Sequence, residues 1–452
     1  MDRSKQLGEE SISRLLLKFS IPAIVGMLVN AMYNIVDRIF VGNGVSVEAI
    51  TAITIAFPIA IIIMAFGMLV GIGAAATVSI KLGQQKNEEA ELILGNAFTL
   101  VIIVSLFVTV LGLYFMEPLL ILFGSSKEVL PLAKQYISVI LIGTLLQNIG
   151  FGLNNIIRSE GNPRMAMNTM LIGAILNTIF NPLFIFVFHL GISGSALATI
   201  VSQTVCSVWV LYYFTKGKST LKLKFSNMKL KGQTVNQIFA IGMSPFFMQI
   251  AASVVTVILN NKLSIFGGDV AIAAIGIINS VSMLILMPIF GINQGSQPII
   301  GYNYGANNFD RVKKTLKLAI IGATFVSTFG FIIVELFPVA IISVFNQGDA
   351  ELIKIGSKGL RIFLIMLPII AFQVVSSNYF QAIGKAKVAI FLGLSRQVIL
   401  LIPLLIILPT IFKLDGIWFA GPVSDFLASL LTGLLLFKEL KKLDKKHQET
   451  LN

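Results

Sequence analysis

Charge is what this chain has least of. Only 12% of its 452 residues are Asp, Glu, Lys or Arg, against about 25% in an average soluble domain. So few charges cannot cover a water-facing surface, which excludes disorder and an ordinary soluble enzyme. The single cysteine, Cys206, excludes an intramolecular disulfide, a secreted disulfide scaffold and a cysteine-held metal cluster. Two histidines, His189 and His447, offer no metal cluster either. No Walker loop is present, so the chain is not expected to use ATP. No convergent nucleophile, acid pair or metal set stands out, and neither an enzyme nor a bound cofactor is expected. What is there is apolar: 56% of residues are hydrophobic, and the mean hydropathy is +0.89.

Twelve apolar segments follow one another, at about 15–40, 50–80, 92–115, 132–157, 165–188, 193–214, 236–263, 270–301, 315–337, 359–381, 387–411 and 416–437. Most exceed the roughly 20 residues a helix needs to cross the hydrocarbon. Helix is also the form that satisfies every backbone polar group in lipid, and alternating strands of about ten residues are not seen. The expected fold is all-α: a polytopic membrane protein of twelve transmembrane helices. The formal net charge of +13 would suggest nucleic acid in a soluble chain. Here topology explains it, and no nucleic-acid partner is expected. Of the 34 basic residues, 25 fall at the two termini and in alternate loops, among them Lys81, Arg158, Lys216, Lys218, Lys222, Lys224, Lys229, Lys231, Arg311 and Lys385. By the positive-inside rule that side is cytoplasmic, with both termini and the long 215–235 loop. The first span runs past the length of a signal h-region and lacks a small-residue cleavage site, so no cleavable signal is expected.

The chain repeats itself. Ser20-Ile21-Pro22 is echoed by Met243-Ser244-Pro245, and Ala49–Ile53 by Ala271–Ile275. Lys81-Leu82-Gly83 matches Asn303-Tyr304-Gly305, Glu160-Gly161-Asn162 matches Ile383-Gly384-Lys385, and Leu190-Gly191-Ile192 matches Asp415-Gly416-Ile417. The offsets stay between 222 and 225. Two pseudo-symmetric six-helix bundles explain this: an N-terminal lobe at 1–214, a cytoplasmic linker at 215–235, a C-terminal lobe at 236–438 and a basic tail at 439–452. An even number of spans per half gives both halves one orientation, related by an axis along the membrane normal.

Polar residues inside the spans are the candidates for function. Among the acids, Asp37 and Asp425 look intramembrane, and an ionisable group there costs about 3 kcal/mol or more on insertion scales. Asn30, Asn34 and Asp37 have i, i+4, i+7 spacing, with Tyr33 one turn before Asp37, and form one polar stripe. Burial disfavours a charged carboxylate, which makes such a group a candidate for proton uptake. The alternative is a pairing of Asp37 with Arg38 or an interfacial position. At an offset of 223 Asp37 meets Asn260, so the duplicated scaffold does not itself require an acid there. Asp425 is either a second ionisable site or an interhelical bond. Asn177 and Asn181 in the fifth span, Thr199 and Gln203 in the sixth, and Gln147, Asn154 and Asn155 in the fourth are further clusters. Each is either interhelical glue or part of an oxygen cage around a small cation with Asp37. Gln147 and Asn154, with Asn30, Tyr33 and Asn34, are candidates for a substrate cavity. The Gly71–Ala76 run superficially matches a dinucleotide loop but follows no strand, and reads as close helix packing.

Taken together, these residues resemble the multidrug and toxic compound extrusion (MATE) family. The resemblance rests on the two halves of six spans, on Pro22 followed by Asn34-Ile-Val-Asp37-Arg-Ile-Phe-Val-Gly42, and on Arg158-Ser-Glu-Gly-Asn-Pro-Arg164. Leu176-Asn177 with Asn181-Pro182-Leu-Phe-Ile185, Gly191-Ile-Ser-Gly-Ser-Ala196 and Gly416–Asp425 add to it. It is nearest to prokaryotic members with a cation site in the N-terminal lobe, and that site maps onto Asp37, Asn177, Asn181 and Thr199. Asn181 stands where relatives often carry aspartate, and the seventh span has Gln249 and Ser253 where other branches carry a glutamate. The resemblance implies a monomeric, multi-pass protein of a prokaryotic cytoplasmic membrane. It would export organic cations or amphipathic drugs in exchange for H+ or Na+ by alternating access. A lipid-linked oligosaccharide flippase of the same superfamily is the alternative. Such a flippase would need several cavity Arg or Lys, and only Arg396, with Arg38 and Arg361, enters the spans.

Overall fold

Lipid offers the backbone no hydrogen bonds, so the apolar segments close their bonds internally as helices, and polar patches supply the turns. The structure, a computed structural model, describes residues 5–345 and 349–451, apart from the side chains at 34, 35, 38, 39, 42, 43, 47, 269, 447 and 449–451. No strand occurs among the described residues. The first six spans are α1 (Ile12–Gly44), α2 (Val47–Gly83), α3 (Asn87–Leu122), α4 (Leu130–Ser159), α5 (Pro163–Pro182) and α6 (Gly191–Thr215). They are followed by α7 (Gly232–Gly268), α8 (Val270–Gly305) and α9 (Phe309–Leu336). The tenth span, α10, is a pair, Ala350–Leu364 and Leu367–Ala382, bent by 45°. Pro368 follows the break, where its missing N–H and its restriction on Leu367 interrupt the helix. The last apolar stretch, Ala386–Lys446, breaks at Lys413 (φ 52°, ψ −131°) into α11 (386–412) and α12 (414–446). The described residues therefore make twelve spans, as the sequence led us to expect.

Helix starts are marked by side chains that satisfy the free amides of the first turn. Ser46 Oγ accepts from Ala49 N at 3.2 Å, Asn162 Oδ1 accepts from Met165 N at 3.3 Å ahead of Pro163, and Asp349 Oδ1 accepts from Glu351 N and Leu352 N. The turns carry the repeat into three dimensions. Left-handed residues occur at Gln85 and Asn307, at Gly161 and Gly384, and at His189 and Lys413. The members of these pairs are 222, 223 and 224 residues apart.

The chain divides into two compact units: residues 1–9 with 25–249, and residues 10–24 with 250–452. These units cut across the repeat boundary at 215–235, because α1 contributes to both and α7 passes from the first into the second. In the first unit Val41, Ala52, Ile63, Ile137, Leu141, Ile185 and Ala196 are buried together. The Gly71–Ala76 run lies inside α2 and permits close packing: a Cβ on Gly71 would stand 2.7 Å from Gly152 Cα of α4. In the second unit Trp418 is buried with Ile278, Leu360 and Leu364, and Tyr379 with Leu316, Ala319 and Leu436. Also in the second unit, Arg311 donates to Asn303 Oδ1 at 2.9 Å and to the carbonyl of Glu10 at 2.7 Å. Large apolar side chains such as Leu106, Phe107 and Val110 on α3 and Phe325 and Phe329 on α9 remain exposed. Such faces are at rest in lipid and not in water.

Candidate cation site on the first, fifth and sixth helices

Asp37 is buried on α1. Two of its partners come from other helices of the same unit. Ser195 Oγ, on the first turn of α6, donates to Asp37 Oδ1 at 2.8 Å. Asn181 Nδ2, at the end of α5, donates to the same oxygen in a short hydrogen bond. Asn181 Nδ2 also faces Asn177 Oδ1 at 3.3 Å, one turn earlier, and Asn177 Nδ2 donates to Thr199 Oγ1 at 3.1 Å. One connected polar line thus runs through Asp37, Asn181, Asn177 and Thr199, with Ser195 at its acidic end.

Local chemistry places these groups. Pro182 directly after Asn181 cannot donate to the carbonyl four residues back, and α5 widens into a π turn over Leu183–Val187. The chain then reverses through left-handed His189 and Gly191. The two helices come so close that a Cβ on Gly194 would stand 3.0 Å from the carbonyl of Phe184. Residues four apart share a helix face, so Asn177 with Asn181 and Ser195 with Thr199 point the same way.

The line is built from oxygens and amides, with Asp37 as its carboxylate. Asn181 is fully buried, and its Oδ1 has no hydrogen-bond partner. An unsatisfied buried acceptor costs about 1–3 kcal/mol and is a place where a donor or a hard cation would be welcome. The carboxylate, two amide oxygens and two hydroxyls form a set that suits either a proton or a small monovalent cation.

The other residues singled out from the sequence lie elsewhere or play other parts. Along the stripe on α1, Tyr33 is half-buried and Asn30 exposed, and the Asn34 side chain lies outside the described residues. Asn154 is buried and donates to the carbonyl of Ala166 at 3.2 Å, which is a bond between α4 and α5. Gln147 is half-buried, with its Oε1 unpartnered. Asp425 on α12 forms an ion pair with Arg396 Nε at 2.5 Å. Arg396 lies in the π turn Ser395–Leu401 of α11. A carboxylate held by a guanidinium is compensated, and the interhelical reading of Asp425 is the one this geometry fits.

Two features were not read from the sequence. Ser195 stood in the Gly191–Ala196 motif without a role of its own, since serine is common in membrane helices; its i, i+4 relation to Thr199 was a further clue. Glu160 was seen only as part of a repeat and of the Arg158–Arg164 motif, with no role given to it. It is 1% exposed at the C-terminal end of α4. It accepts from Tyr213 Oη in a short bond, from Ser219 Oγ at 2.6 Å, from Thr220 Oγ1 at 3.1 Å and from Leu221 N at 3.4 Å. Burial pushes its carboxyl above the ordinary value of 4.5, against the pull of these donors.

Comparison with known proteins assigns this architecture. The family model MatE matches the chain twice, over residues 22–183 and 245–407. The chain belongs to the MatE family. The second match begins 223 residues after the first, which is the offset of the internal repeat. Among individual MATE relatives, the multidrug export protein MepA of Staphylococcus haemolyticus is 25% identical over 429 residues, covering 95% of this chain and 94% of its own. MepA of Staphylococcus aureus is 26% identical over 435 residues, covering 94% of each. The solved structure of the MATE multidrug transporter DinF-BH in complex with rhodamine 6G is 39% identical, with a TM-score of 0.90 over 97% of this chain and 98% of that one. The protein is a MATE family transporter, multi-pass in the membrane.

Proposed function

We propose that this transporter is a secondary active antiporter. It exports organic cations or amphipathic drugs in exchange for an inward-moving ion, by alternating access, from the cytoplasmic membrane. The observation that carries the reading is the bonded line from Asp37 to Thr199, with the buried, unpartnered Asn181 Oδ1 beside the carboxylate. Multidrug export is the activity in the name of MepA, and a rhodamine 6G complex is what the DinF-BH structure holds; both support a drug-like substrate here.

The coupling ion is read as a proton. As an anion, Asp37 accepts from Ser195 and Asn181. Once protonated, it becomes a donor among amide and hydroxyl oxygens, and the proton removes a charge that costs several kcal/mol in a low-dielectric setting. Drug and proton then compete for the state of Asp37: proton uptake from outside releases the drug and permits the return. Asn181 in place of a second acid lowers the charge available to hold Na+, although the amide oxygens and Thr199 retain ligands suited to it. The pairing of Arg396 with Asp425 removes a cation that a pyrophosphate-binding flippase would need free. Reconstituted protein tests the assignment. Efflux of rhodamine 6G is measured under a pH gradient without Na+, then under a Na+ gradient at fixed pH. The pH gradient is expected to drive transport, and transport driven by the Na+ gradient alone contradicts proton coupling.

A further inference from the structure

The linker after α6 is seated on a helix and does not hang free. Lys222 N donates to Glu91 Oε1 at 3.0 Å, and Lys224 Nζ pairs with Glu91 Oε2 at 2.5 Å. Asn96 donates to the carbonyls of Asn227 and Lys229 at 2.9 and 3.1 Å and accepts from Lys231 N at 2.8 Å. Thr99 Oγ1 donates to the carbonyl of Met228 at 2.8 Å. Gly95 leaves room for this seat: a Cβ there would stand 2.4 Å from the carbonyl oxygen of Asn227. Glu91, Asn96 and Thr99 all belong to α3.

The height of that seat matters. The 36 residues of α3 rise about 54 Å at ~1.5 Å each, against a hydrocarbon core of ~30 Å. About 12 Å is left to protrude at each end if the surplus is shared equally. Asn96 lies nine residues beyond Asn87, about 14 Å along the helix axis. That is the boundary between headgroups and acyl chains. The exposed apolar face of α3 agrees: among the described residues its first large member is Ile103, one turn beyond Thr99. At this level the linker turns over Phe225–Asn227 and presents Phe225 almost fully bare, at 89% exposure. Lys218, Lys224, Lys229 and Lys231 are exposed around it.

We infer that the segment 218–231 is an interfacial surface that binds anionic phospholipid headgroups of the cytoplasmic leaflet. Phe225 enters the headgroup–acyl boundary, and the lysines meet phosphates. An aromatic ring bare to water is at rest in this zone, and each nearby lysine adds attraction to an anionic surface. Glu91 offsets part of the charge of Lys224 and fixes the height of the ring. The inference rests on the cytoplasmic placement of the linker.

The test uses the full-length protein with Cys206→Ser and Phe225→Cys, labelled at 225 with an environment-sensitive NBD fluorophore. It is reconstituted in vesicles of phosphatidylcholine alone or with phosphatidylglycerol, with and without lipids carrying a shallow spin-label quencher. Phosphatidylglycerol is expected to blue-shift the emission and to increase quenching at least about twofold. Salt at 1 M, where the Debye length is ~3 Å, should reverse the gain. The triple variant Lys224→Gln, Lys229→Gln, Lys231→Gln should not show the gain. Water-like emission with equal quenching in both lipids overturns the inference. So does a gain that survives both salt and the triple variant. Because both vesicle leaflets carry the anionic lipid, this readout does not depend on sidedness. Dithionite access to the same label in intact cells and in inverted vesicles tests the cytoplasmic placement separately.

Discussion

Asp37 Oδ1 receives two hydrogen bonds, from Ser195 and Asn181, and each comes from a different helix. Hydrogen bonds to a charged group are worth about 1.5–3 kcal/mol, so Ser195→Ala should cut gradient-driven efflux about tenfold or more. The measurement is initial efflux rate in proteoliposomes at matched protein density, and an unchanged rate removes Ser195 from the site. Asn181→Asp restores a second acid and should strengthen Na+ dependence. If neither the H+ nor the Na+ response changes, Asn177 and Asn181 serve only to join helices. At the other acid, Arg396→Met would leave Asp425 buried without its partner, a loss of about 3–5 kcal/mol. Thermal unfolding in detergent should show a lowered Tm for Arg396→Met and recovery when Asp425→Leu is added. Equal Tm values for wild type and the single variant would mean that the pair does not hold α11 to α12.

At the level of elements, the C-terminal end of α4 holds the start of the linker through Glu160. The folded state keeps a proton on this carboxyl to a higher pH than the unfolded chain does, where the ordinary value is 4.5. In that window the folded state binds more protons, so stability falls as pH rises from about 4.5 through the raised value. Hydrogen exchange at Leu221 should therefore be better protected at the acidic end of the window. Glu160→Gln should flatten that dependence, and a dependence that persists in Glu160→Gln assigns it to another group. Much at this scale was legible in the sequence. Span number, the repeat and the polar pairs on α5 and α6 all follow from spacing, because lipid forces helix and helix fixes which residues share a face. The 45° break in α10 had its cause in plain view at Pro368. What spacing cannot give is partnership across helices. Asp425 and Arg396 were each visible as polar intrusions, yet they are 29 residues apart and only packing joins them. The bond from Ser195 to Asp37 was hidden for the same reason.

For the whole molecule, the MatE family membership, the doubled match and the left-handed turns at matching offsets describe one duplicated plan. The duplication is not chemically even: Asp37 has Asn260 as its counterpart, and the proposed coupling chemistry belongs to the first half. Positive charge at both termini and in the linker predicts that cysteines placed at Lys5 and Lys445 react with impermeant maleimide in inverted vesicles and are protected in intact cells. Opposite access at the two ends would break the even count of spans. The central claim is that Asp37 couples the driving ion to export, and Asp37→Asn tests it most directly. Asparagine keeps the size of the side chain but can neither take up a proton nor carry a charge. Proteoliposomes of wild type and Asp37→Asn, matched for incorporated monodisperse protein, are loaded with rhodamine 6G and given a pH gradient. Gradient-driven efflux should vanish in the variant while the protein stays folded in the membrane, and efflux at the wild-type rate would contradict the account.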